Sequence, residues 1–446
     1  MKNKAIIIFF LLMANLIEAQ EIKTLTLKEA INYSLQNKID SKKAALDVEN
    51  AEYKIQEVRA RALPQISANG SLTYNPILQL NALPGDFFGA PGTTILAPLG
   101  QKWNSVGGVS LTQTIFNEQV FTGLKAAKTT REFYKINKEL TDEQVIERVA
   151  TAYYQVYLQR QKLTVIESNL KNTTKVKDII KNLFDNGLAK KIDLDRITVT
   201  LNNISTLRQQ LLNGIVIQEN ALKFYMGMPI NETIVIPDSE VKVTPVLLEE
   251  TIENSKRSEY RLAETQKKLL EFNKRAMKAL YYPTLSATAG YNYIGQGPKM
   301  PLGAKPSDGV YWSDFSSIGL NLNIPIFTGF GTRSKVRQAD IEVRKAEADL
   351  AETKQALDLE YKNAKTQVEN SLITIGNQKE NVTLAQEVYQ NTQNNYINGL
   401  ASLTDLLDSE NSLVEAQNNY NTALLDYKLA EIQLIKSKGE LKSLTN

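Results

Sequence analysis

The 446 residues include no cysteine and no histidine, and 52 Lys+Arg against 49 Asp+Glu leave a formal charge of only +3. Without cysteine there are no disulfides and no thiol chemistry. Without histidine the commonest general base and metal ligand is gone, so most zinc and copper centres are excluded. So balanced a charge makes no case for nucleic acid as a partner.

The chain begins like an exported protein. Lys2 and Lys4 precede an apolar run from Ala5 to Ala14, and Ile17-Glu18-Ala19 reads as a cleavage site before Gln20. The run is about 10–13 residues, whereas a membrane-spanning helix needs ~20. Residues 1–19 are therefore expected to be a signal peptide, and their removal lowers the charge to +2. No later stretch approaches ~18 consecutive apolar residues. That does not count against a transmembrane barrel, whose strands alternate and carry a weaker signal.

A first strand pair follows. Ile66, Ala68, Gly70, Leu72 and Tyr74 alternate with Ser67, Asn69, Ser71 and Thr73, the period of a strand with one apolar face. Residues 76–100 hold Pro76, Pro84, Pro91 and Pro98 among several glycines and are expected to form an exposed loop. Trp103 opens the second strand. From Asn117 to Asn186 there is no proline, and Gly123 is the only glycine, which permits one continuous helix. Val145, Val149, Ala152, Val156, Gln159, Leu163, Ile166, Leu170, Thr173, Lys177, Ile180 and Phe184 step by alternating fours and threes, the coiled-coil period. Ile146, Tyr153, Tyr157, Val176, Ile179 and Leu183 make a second stripe, as suits a helix packed between neighbours in a ring. A helix over Leu188–Met226 returns antiparallel.

After a joint at 229–250, carrying Pro229, Pro237 and Pro245, the pattern repeats. Leu285, Ala287, Ala289, Tyr291 and Tyr293 alternate with polar residues, residues 295–309 form a second breaker-rich loop, and Tyr311 and Trp312 open the strand that carries Ile318, Leu320, Leu322 and Ile324. Trp103, Tyr311 and Trp312 fit either an interfacial aromatic girdle or ordinary core packing. Leu357, Tyr361, Ala364, Val368, Ser371, Ile375, Gln378, Val382, Ala385, Tyr389, Thr392 and Tyr396 copy the first heptad set. Asn186-Gly187-Leu188-Ala189 recurs as Asn398-Gly399-Leu400-Ala401, with Asp193 matching Asp405, Leu201 matching Leu413, Leu222 matching Leu434 and Gly227 matching Gly439. The organisation is thus a first repeat over 20–228, a joint over 229–250 and a second repeat over 251–446. The fold class is mainly α with a small β part, a duplicated helix-strand-strand-helix-helix unit. Four strands are too few for a bacterial barrel, which needs at least about eight; three chains would supply twelve.

The chain resembles the TolC family of outer-membrane efflux proteins along nearly all of its mature length. The features that carry the resemblance are the duplication, the joints Leu63-Pro-Gln-Ile-Ser67 and Tyr282-Pro-Thr-Leu-Ser286, and the segment Gly399-Leu-Ala-Ser-Leu-Thr-Asp405-Leu-Leu-Asp408. The resemblance implies a homotrimer with a long coiled-coil α-barrel in the periplasm, a transmembrane β-barrel in outer-membrane lipid, and an entrance at the helical tips. It implies service to a periplasmic adaptor and an inner-membrane transporter, as the exit duct of an efflux or type I secretion system, with no cofactor. Asp405 and Asp408 match the acidic residues that constrict the family's entrance. At i and i+3 they share a helix face, so threefold symmetry would stack two carboxylate rings, and crowding would raise some of their pKa values. Unaided by the resemblance, they read as two solvated acids near a helix start. Asp193 and Tyr396 match residues that latch neighbouring helices. Ala401 stands where the family carries an arginine, and Lys190 or Lys191 is the candidate substitute.

Two other classes compete. A secreted coiled-coil stalk or adhesin would explain the heptads but not the paired amphipathic strands. A carboxylate-based hydrolase lacks a paired acid beside a pocket, so no enzyme is expected, and no catalytic or metal residues are assigned.

Overall fold

The computed structural model describes residues 23–237, 243 and 253–445. The proposed signal peptide and most of the 229–250 joint lie outside the described residues. Two compact units emerge, one of residues 49–133 and 265–348, the other of residues 23–48, 134–264 and 349–446.

The smaller unit is built on an antiparallel sheet. Strands β2 (Gln65–Tyr74), β5 (Trp103–Phe116), β7 (Thr284–Gly297) and β8 (Tyr311–Asn323) lie in the order β2-β5-β7-β8. Directly opposed residues share a face, so the register sorts the side chains. Ile66, Ala68 and Leu72 stand with Leu111 and Val109, then with Leu285, Ala287, Ala289 and Tyr291, then with Ile318, Leu320 and Leu322. This apolar face is open: Ile318 is 91% exposed and Leu320 72%. The opposite face carries Ser67, Asn69, Ser110, Thr112, Ser286, Thr288, Asn321 and Asn323, with Ser67 and Ser110 hydroxyls 2.9 Å apart. At one end of the apolar face Tyr74 packs on Trp103 at 4.6 Å and Tyr293 on Trp312 at 4.9 Å between ring centroids. These four rings line the rim of the apolar face, whereas Tyr311, opposite Gln296, stands on the other face. Both outer strands, β2 and β8, are exposed along nearly their whole length.

The loop expected at 76–100 is more ordered than its prolines suggested. Strands β3 (Leu80–Pro84) and β4 (Thr94–Pro98) pair as a separate antiparallel hairpin. Its prolines sit at the strand ends, where no ladder hydrogen bond is lost.

The larger unit is helical. It contains α1 (Leu27–Asn37), α4 (Lys191–Met226), α7 (Leu403–Ser437) and parts of α2 (Ile39–Ala60), α3 (Glu118–Asp185), α5 (Ser258–Ala279) and α6 (Gly331–Ile397). Among the described residues no helix is long and apolar enough to cross a membrane. Helix α3 runs 68 residues without a break, roughly 100 Å at 1.5 Å per residue. All members of both heptad sets are buried or half-buried, including Val149, Val156, Thr173 and Val368 at 0% exposure. The second stripe divides. Ile146 and Tyr153 are buried in a cluster with Leu25, Ile31, Leu222, Met226 and Ile432, whereas Ile179 and Leu183 remain exposed. Strand β1 (Lys23–Thr24) pairs in parallel with β6 (Ile234–Val235) beside this cluster.

Two polar groups are built into the helical packing. Arg257, 1% exposed, donates to the Ser437 carbonyl oxygen at 2.9 Å and to Glu259 and Glu360, each at 2.9 Å. It ties the start of α5 to α6 and to the end of α7. Glu410 on α7 is 4% exposed and accepts from Thr173 Oγ1 at 3.3 Å, while Thr173 also lies 2.9 Å from Asn169 Oδ1. Burial pushes the Glu410 carboxyl up to about 7, against the opposing effect of the Thr173 bond. At Thr173 the polar seam is buried and bonded.

Breaking a buried pair by removing one partner strands the remaining charge, so Arg257→Met is expected to cost about 3 kcal/mol, read as an earlier urea-unfolding midpoint. An unchanged midpoint would mean that solvent serves Glu259 and Glu360 equally well. Folded Glu410 holds its proton to about pH 7, whereas the unfolded chain releases it near 4.5. Its contribution to stability therefore falls as pH rises through that window. Glu410→Gln is expected to flatten thermal stability against pH there, and an unaltered slope would assign the dependence to another group.

Candidate functional site at the helical tips

Each long helix ends in the same way. Gly187 and Gly399 have φ of 74° and 73°, the left-handed region that glycine enters without a Cβ penalty. In the first turn Leu188 N–H donates to the Leu183 carbonyl and Gly187 N–H to Phe184; in the second, Leu400 donates to Asn395 and Gly399 to Tyr396. These are paired Schellman closures. Asn186 and Asn398 add matching side-chain bonds to Asn182 and Asn394 carbonyls at 2.7 and 2.8 Å. The recurring Asn-Gly-Leu is thus a helix stop, used twice.

The returning helices start differently. At α7, Ser402 and Asp405 form a capping box. Asp405 Oδ2 accepts from Ser402 N–H at 2.9 Å and Ser402 Oγ at 2.7 Å, and Asp405 N–H donates back to Ser402 Oγ at 3.2 Å. These bonds hold the Asp405 carboxyl below the usual range. Within one chain, then, Asp405 is a firmly ionised helix cap. At α4 the equivalent cap position is Lys190, which supplies no side-chain cap bond.

One apolar cluster joins the two tips. Val176 and Ile180 of α3, Ile197 of α4, Tyr389 of α6 and Leu403, Leu406 and Leu407 of α7 are buried together, with Leu194 and Tyr396 against them. This brings Tyr396 close to Asp193: burial and then the Asp193 charge raise the Tyr396 pKa. Asp405 and Asp408 both face solvent, one helical turn apart. Lys190 and Lys191 are exposed as well. The cation that reaches across the tips is Arg196, whose Nη1 lies 2.6 Å from Thr404 Oγ1. Neither periodicity nor the family resemblance singles out Arg196, yet the sequence carries a signal for it. It occupies in the first repeat the position that Asp408 holds in the second, so the duplicated tips carry opposite charges at one site. Glu410 gave no such signal, because its burial depends on Thr173 far away in the chain.

Comparison with known proteins agrees with this architecture. The family described as Outer membrane efflux protein matches residues 30–228 and 255–440. The chain is 22% identical over 413 residues to Outer membrane protein TolC of Escherichia coli, covering 90% of this chain and 79% of that protein. It is 22% identical over 338 residues to Outer membrane protein TolC of Vibrio cholerae, 75% of this chain and 76% of that one. Its fold is shared with the outer membrane protein VceC of Vibrio cholerae (TM-score 0.73, 17% identity, 93% and 96% of the two chains). It is shared equally with the Neisseria gonorrhoeae MtrE outer membrane channel in its open state (TM-score 0.72, 18% identity, 94% and 90%). The chain belongs to the outer membrane efflux protein family.

Proposed function

We propose that this chain is one of three that together form an outer-membrane channel, the passive exit duct of a tripartite efflux or secretion system. The observation that carries the reading is the sheet: four strands with an apolar face, a polar face, an aromatic rim and two open edges. Backbone groups cannot stay unpaired in lipid, and channels of the family are trimers that work with adaptor and inner-membrane pump partners. Pairing β8 of each copy with β2 of the next keeps the antiparallel alternation and closes twelve strands with the polar face inward. A family of channels is no family of enzymes, and no reaction is assigned. The repeats 20–228 and 251–446, joined through 229–250, give each copy two helical hairpins for the periplasmic extension.

The tips form the entrance in this reading. Asp405 and Asp408 ring the bore, where two tiers of carboxylates attract cations and repel anions. The Ser402 cap favours ionised Asp405 and so opposes the rise that crowding three carboxylates would bring. Tyr396 and Asp193 latch the two hairpins, and Arg196 on Thr404, rather than Lys190 or Lys191, takes the place left by Ala401.

In planar bilayers the intact channel is expected to prefer cations, and Asp405→Ala combined with Asp408→Ala to cut that preference and cation block several-fold. Selectivity equal to the parent would remove both residues from the constriction. Arg196→Ala with Tyr396→Phe is expected to raise resting conductance by loosening the tips. Conductance held at the parent level would mean that these side chains do not latch the entrance.

A further inference from the structure

We propose that the β3–β4 hairpin is an intersubunit clasp, its exposed face packing on the β7–β8 loop of the adjoining copy. The proposal rests on the trimeric reading above. The pairs Leu80 with Pro98, Ala82 with Leu96 and Pro84 with Thr94 put five apolar residues and a threonine on one face. All six are exposed, whereas Asn81, Leu83, Ile95 and Ala97 on the reverse face are half-buried. Ile77, 89% exposed, and Leu99, 64%, lie just outside the paired strands. Two five-residue strands are marginal on their own in water, and a solvated apolar face makes them more so. Such a patch is the mark of a surface that meets a partner.

Topology and charge identify the partner. Strand β3 follows directly from β2, the edge strand, and β8 is the opposite edge. Closing the ring sets β8 of one copy against β2 of the next, so residues 298–310 of the first copy adjoin residues 75–102 of the second. That β7–β8 loop exposes Met300, Leu302 and the flanking Tyr311. It is braced by the Lys299–Asp308 pair at 2.8 Å, by the Lys305 N–H bond to Asp308 and by three prolines. Within the single chain neither patch is covered by the other, since Leu80, Leu96, Met300 and Leu302 all stay exposed. Across residues 76–100 the sole charge is Asp86, so the hairpin offers no cation to an anionic lipid headgroup. Apolar surface meeting apolar surface selects the second copy.

The absence of cysteine makes the test clean. Leu96→Cys and Leu302→Cys chains are co-expressed, and intact outer membranes are treated with a flexible bismaleimide. A covalent dimer from the mixture, with none from either variant alone, is the expected result. Dimers from Leu96→Cys alone would mean that hairpins meet each other, and no dimer from a mixture whose native mass is trimeric would leave the hairpin facing solvent or lipid. Either result overturns the clasp and spares the trimer, whereas a monomeric native mass would overturn the trimer itself. In parallel, Leu80→Ser with Leu96→Ser is expected to lower the temperature at which the detergent-solubilised trimer dissociates while leaving single-channel conductance unchanged. An unshifted dissociation temperature would also count against the clasp.

Discussion

An open sheet edge is a row of unsatisfied backbone donors and acceptors, and no other feature of this chain constrains it so strongly. Among the described residues, strands β2 and β8 each leave one edge bare. In water such an edge invites aggregation; in lipid it is prohibitive. The rest of the sheet is consistent with a single remedy, closure with further copies. One face is apolar and rimmed by aromatics while the other is lined with Ser, Thr and Asn. An antiparallel sheet packed on a core has a polar reverse side too, but its apolar face is covered; here Ile318 and Leu320 stand open.

The same logic governs the helices. Alternating three- and four-residue steps produce a stripe that one partner helix can cover, and the heptad positions are covered within the chain. The second stripe is only partly covered. Near Tyr153 it meets the cluster built around α1 and the end of α4, while among the described residues Ile179 stays 48% exposed and Leu183 36%. Exposed apolar residues at heptad spacing on a long helix are the helical counterpart of the bare strand edge. Both call for a neighbour. Two buried polar groups are held by partners, Glu410 by Thr173, itself bonded to Asn169, and Arg257 by Glu259 and Glu360.

Duplication gave the tips a common frame and allowed their chemistry to diverge. Both use glycine in a left-handed turn to stop the long helix. One then restarts with a serine–aspartate box, the other with a lysine whose side chain caps nothing. The carboxyl freed from capping duty, Asp193, turns its field on Tyr396, and the matching sites Arg196 and Asp408 carry opposite signs.

Much of this was legible in the residues themselves because it depends on local periodicity. Alternation of two fixed the strands' faces, steps of three and four fixed the helical seams, and Asn-Gly-Leu fixed where the helices stop, since only a residue without a Cβ enters that turn freely. The pairing of β3 with β4, the reach of Arg196 to Thr404 and the burial of Glu410 were decided by tertiary structure. Each depends on groups distant in the chain or on solvent exclusion. Composition reports that a loop is rich in proline, but only register reveals that those prolines fall at the ends of paired strands. A glutamate looks the same in a sequence whether water or Thr173 and a buried cluster surround it, and its proton affinity depends on which of them does.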